Sequence, residues 1–135
     1  VQGQDPARVI RAVLAHLQAA CPPGCALDVT ALTDGSPAST LAPGHPLVQA
    51  ASAVLRASAG QEPIHVRLGA SVPITSVFKE TLGIDTLMFG FNLPDEDVHA
   101  PNEFFRLGSI REGVQAWTRL LDALSRYAPA AFREG

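Results

Sequence analysis

One stretch constrains this chain more than any other: Pro94-Asp95-Glu96-Asp97-Val98-His99-Ala100-Pro101-Asn102-Glu103. An apolar run at 84–89 leads into it and a long helical pattern follows it. Two prolines among consecutive carboxylates continue neither a strand nor a helix, so the stretch reads as a loop. Its expected place is the carboxyl end of a strand, where open α/β sheets bind their ligands. Carboxylates around one imidazole suit a hard or borderline cation, because both groups are zinc ligands. A solvated acidic turn with Asn102 capping the next helix accounts for the same composition. A mononuclear zinc protein using His99 with Asp95 or Asp97 is a further reading.

The remaining pattern alternates helices with short apolar runs. Asp5 can cap a helix that has Pro6 in its first turn, and Val9, Ile10, Val13, Leu14 and Leu17 give it an apolar stripe over 6–20. Pro22-Pro23-Gly24 ends it, and 26–33 alternates with period two, as a half-buried strand does. Gly44-His45-Pro46 opens a second helix that Gly60 ends, with His45 in a capping and packing role. Residues 63–66 and 84–89 read as strands, the second covered on both faces. A helix over 74–82, closed by Gly83, lies between them with Val77, Phe78 and Leu82 inward. The last helix starts near Phe104 or Ser109 and runs to about Tyr127, with Ile110, Val114, Trp117, Leu120, Leu121 and Leu124 facing the core.

Composition excludes several classes of partner. The net charge of −3 is mild and the basic residues are scattered, which argues against nucleic acid and an anionic membrane surface. No apolar run approaches the roughly 20 residues that span a bilayer, and no signal-peptide pattern opens the chain. Cys21 and Cys25 flank a Pro-Pro-Gly turn without the spacing or second pair of a zinc site, so a reducing cytoplasm is the expected setting.

Residue order sharpens the reading of the loop. Asp97-Val98-His99-Ala100-Pro101-Asn102-Glu103 resembles the D-x-x-H-x-P-N-E segment of the co-catalytic zinc metallopeptidases. These include aminoacylases, acetylornithine deacetylases, succinyl-diaminopimelate desuccinylases, carboxypeptidase G and carnosinase-like dipeptidases. Upstream, Arg67-Leu68-Gly69-Ala70-Ser71-Val72-Pro73-Ile74-Thr75 resembles the R-x-G-G-S-I-P-V-T of the same family, with Ala70 in place of the second Gly and Leu68 at a position often Glu. Val1-Gln2-Gly3-Gln4-Asp5-Pro6 resembles its V-P-G-Q-D-P turn.

The resemblance implies an α/β fold: the C-terminal part of an α/β/α zinc-peptidase catalytic domain over 41–135, preceded by half of an α/β lid or dimerisation domain over 1–40. It implies that His99 binds one of two zinc ions and that Asn102 and Glu103 orient the loop rather than ligate. Asp97 solvates or supports that loop. It also implies that Arg67, Ala70 and Ser71 grip a substrate carboxylate, a role that suits small residues and free N–H groups at a helix start. The family's H-x-D segment, bridging Asp and Glu-Glu pair are absent from these residues, and the chain opens on Val1. The expectation is therefore a fragment that is inactive alone. Its expected partners are the missing N-terminal half, a small peptide or N-acyl amino acid substrate, and a second copy in a homo-oligomer. A non-catalytic α/β interaction or dimerisation module derived from the family is the alternative.

Overall fold

The computed structural model describes residues 2–32, 35–67 and 72–132, and all of its regular structure is helical. The helices are α1 (Pro6–Ala19), α2 (Pro46–Ala59), α3 (Pro73–Leu82) and α4 (Leu107–Leu124), with a 3₁₀ turn at Pro129–Phe132. Among the described residues no helix is long and apolar enough to cross a membrane. The chain divides into two compact units: Val1–Thr40 with Leu68–Leu82, and Leu41–Arg67 with Gly83–Gly135.

The expected α/β fold is not what forms, because no strand occurs among the described residues. Alternation and β-branched side chains supply a preference, whereas a strand exists only when its N–H and C=O groups pair with a neighbouring segment. The runs at 26–32, 63–66 and 84–89 lie in no such ladder. In the first two runs large apolar side chains are left open, Leu32 at 93 %, Ile64 at 86 % and Val66 at 73 % exposed, whereas Leu87 and Phe89 of the third pack against the core.

In the first unit, the Asp5 side chain caps α1 by accepting the Ala7 N–H at 3.0 Å, and Pro6 opens the first turn, where its missing N–H removes nothing. α1 buries no residue completely; Val9, Val13 and Leu17 remain exposed along a stripe that reads as amphipathic. Gln4, Pro6, Val9, Ile10, Gly35, Ser36 and Ala38 line a cleft of about 230 Å³. Gly35 is required there twice over: its φ is +72°, and a Cβ would stand 2.9 Å from the Pro6 Cβ. In α3 the buried residue is Thr75, whose hydroxyl donates to the Val72 carbonyl at 2.8 Å. Val77 and Leu82, expected inside, are exposed.

The second unit contains the hydrophobic core. Ala50, Ala51 and Val54 of α2 meet Ala116 and Leu120 of α4, with Leu87, Phe89, Phe91, Ala123 and Leu124 packed around them. Small side chains at this contact let the two helices approach closely. The buried face of α4 is Ser109, Gly113, Ala116 and Leu120. Ile110, Val114, Trp117 and Leu121, expected to face the core with Leu120, stay exposed. Trp117 is 43 % exposed and meets the core through one edge-to-face contact with Phe89, centroids 5.3 Å apart. Phe89 makes a second such contact with Phe91 at 5.2 Å.

α2 is closed at both ends. The His45 Nδ1 accepts the Leu47 N–H at 3.2 Å, and its Nε2 lies 3.4 Å from the Asp85 carboxylate. One imidazole thus caps the helix and ties it to the 84–89 run. At the other end Gly60 takes a left-handed conformation, φ 69°, and returns its N–H to the Arg56 carbonyl.

Candidate functional site

The loop over 93–106 is built around a carboxylate that the sequence does not single out. Glu96 is wholly buried, whereas Asp95 and Asp97 on either side are exposed. Its Oε2 accepts the Leu93 N–H at 2.8 Å, and its Oε1 accepts the Arg106 N–H at 3.0 Å. The Arg106 guanidinium stands 3.2 Å from the same Oε1. One side chain therefore fastens the beginning of the loop to its end. The main chain repeats the closure, since the Glu96 N–H donates to the Leu93 carbonyl and the Phe104 N–H to the Glu96 carbonyl.

Arg106 is the second half of this clamp. It holds Asp95 through two hydrogen bonds of 2.7 and 3.0 Å and lies 5.0 Å from the centre of the Phe104 ring. A bidentate guanidinium–carboxylate pair fixes direction as well as distance. Arg106 is also the residue at which α4 begins. The helix cap that the acidic-turn reading places at Asn102 does not form; Asn102 sits in a turn four residues earlier.

Charge follows from this geometry. Burial pushes the Glu96 carboxyl up, but the N–H donors of Leu93 and Arg106 and the Arg106 guanidinium outweigh it, and its pKa lies below the ordinary glutamate value. Asp95 is lowered chiefly by its hydrogen bonds to Arg106. A depressed carboxylate stabilises the folded form fully above its unfolded pKa and loses that contribution as pH falls through the folded value. The Leu93 and Arg106 amide NMR signals are accordingly expected to stay fixed between about pH 5 and 7 and to move together below about pH 4.

His99 lies at the exposed outer part of the loop with φ 65°, and Asp97 two residues earlier has φ 50°. The His99 N–H donates to the Glu103 carboxylate at 3.2 Å, and the Ala100 N–H donates to the Asp97 carbonyl at 2.9 Å. Asp97 and Asn102 are exposed. Arg67 is exposed too, while Ala70 and Ser71 fall outside the described residues. Among the described residues no group of three or more His, Cys, Asp or Glu side chains converges on a point where a metal ion could sit. A closed or catalytic zinc site needs at least three protein ligands, so the described residues alone do not fit zinc.

A signal for Glu96 was present but not decisive. It lies three residues after Leu93, the spacing of a side chain that turns back onto the main chain, and ten before the arginine at the head of the last helix. Neither spacing separates it from Asp95 and Asp97 without knowledge of burial.

The model of the family described as Peptidase family M20/M25/M40 matches residues 3–123, nearly the whole chain. No curated protein and no solved structure gives a significant match.

Proposed function

We propose, from the premise that this chain belongs to peptidase family M20/M25/M40, that it carries part of the working surface of a zinc-dependent hydrolase. The bonds cleaved are amide bonds of dipeptides or N-acyl amino acids. His99 contributes one imidazole to a divalent ion whose other ligands lie on a different stretch of polypeptide. Arg67 and the Ala70–Ser71 backbone contribute the grip on the substrate's carboxylate. Glu103 supports the His99 loop, and the chain alone hydrolyses nothing.

The observation that carries this reading is the placing of His99. His99 is exposed, not packed into hydrocarbon, on a loop whose two ends are fastened by the buried Glu96 carboxylate. An imidazole held outward on a rigid support is available to a ligand supplied from elsewhere.

Complementation tests it. The chain is mixed with a polypeptide bearing the family's H-x-D and Glu-Glu segments, zinc is added, and hydrolysis of N-acyl amino acids and dipeptides is followed. Turnover is expected only in the mixture, and His99→Ala is expected to lower it by at least about 100-fold. A His99→Ala mixture that turns over at the parental rate would remove His99 from the site.

A second reading has an observation of its own. Ile64, Val66 and Leu107 are 86, 73 and 81 % exposed, and apolar exposure of this kind favours a non-catalytic interaction or dimerisation module derived from the family. Sedimentation separates the two: self-association without turnover in the complemented mixture supports the module.

A further inference from the structure

We infer that Glu96 is the positioning residue of the His99 loop: its buried carboxylate, acting with Arg106, holds residues 97–99 in a backbone conformation that the loop would not keep unaided. The inference rests on the functional reading above only for the purpose this serves.

Two non-glycine residues, Asp97 and His99, adopt left-handed backbone at φ 50° and 65°. Side chains there crowd the main chain, and such residues persist only where their surroundings over-determine them. The surroundings are identifiable. Glu96 adjoins Asp97 and receives donors from both ends of the loop, at Leu93 and Arg106. Arg106 is held in turn by Asp95, which accepts from both terminal nitrogens of the guanidinium, including the one that faces Glu96. At the far side the Glu103 carboxylate accepts the His99 N–H. The left-handed pair thus lies between two carboxylate anchors, and only the inner one is sealed from water.

This arrangement separates Glu96 from an ordinary contributor to stability. The α2–α4 core contains neither Glu96 nor Arg106, and it packs through Ala50, Ala51, Val54, Ala116 and Leu120. Loss of Glu96 should therefore release the loop and leave the helices closed.

Amide hydrogen exchange in metal-free buffer tests the proposal on Glu96→Ala and Glu96→Gln. In Glu96→Ala the amides of 93–104 are expected to exchange at least about tenfold faster, with the α2 and α4 interiors within about twofold of the parent. Glu96→Gln keeps one carbonyl acceptor at the same reach and is expected to recover part of the protection. Unchanged loop exchange in both variants overturns the proposal. So does an equal rise across the loop and both helices, including global unfolding of Glu96→Ala, since Glu96 would then be a fold-wide support. Failure of the functional reading shows elsewhere, as a His99→Ala mixture that retains turnover.

Discussion

Leu120→Ala is expected to destabilise the second unit by about 3 kcal/mol, the middle of the range for a fully buried leucine. Leu120 is 1 % exposed and lies where α4 meets Ala50, Ala51 and Val54 of α2. Its neighbours there are mostly alanines, whose short side chains cannot reach across to fill the space left. A space that its neighbours fill only in part keeps the loss inside that range rather than below it. Helix propensity works in the other direction, since alanine is the better helix former, but the difference is a few tenths of a kcal/mol and decides nothing. Circular dichroism during urea unfolding measures the effect as a lowered midpoint at unchanged slope. A loss below about 1 kcal/mol would mean that the α2–α4 contact is not the centre of this unit. Leu121→Ala, one position on and 61 % exposed, is the control and should change little.

Gly113→Val is expected to destabilise by about 2 kcal/mol, and Gly113→Ala by much less. A Cβ at this position would stand 3.2 Å from Cδ2 and 3.6 Å from Cγ of the Phe91 ring. Alanine adds only that carbon, and the ring must give by a few tenths of an ångström. Against that strain stands the gain of roughly 1 kcal/mol from removing a glycine inside a helix. The two nearly cancel. Valine adds two further methyl groups toward a ring already held edge-to-face against Phe89, and overpacking of this kind costs about 1–3 kcal/mol. Its β-branch also forfeits part of the helix gain. Urea midpoints for the pair give the sign directly: equal midpoints for Ala and Val would show that Phe91 is free to leave.

The helices were readable in the sequence because their signals are local. Asp5-Pro6 and His45-Pro46 mark two starts, and Gly60 supplies a left-handed stop; each needs only its own few residues. Which side of α4 faces inward was not readable. Two stripes at the same helical spacing run along it, one of large apolar residues through Trp117 and one of small residues through Gly113 and Ala116. Counting hydrophobicity favours the first, whereas close approach of two helices favours the second. The expected sheet failed for a related reason: residues 84–89 have the composition of a covered strand, but pairing depends on a neighbour that composition cannot supply. In the loop, residue order points to His99 and does not point to Glu96. An imidazole is conspicuous, while one carboxylate among three consecutive ones is set apart only by the groups that close over it.

The half-covered indole of α4 has a practical consequence. The chain has a single tryptophan, so its fluorescence arises from one known place, beside the Phe89 ring and at the rim of the α2–α4 core. Emission wavelength and quencher access therefore gauge that rim without any attached dye. A shift on adding another polypeptide would locate its binding to the outer side of the last helix.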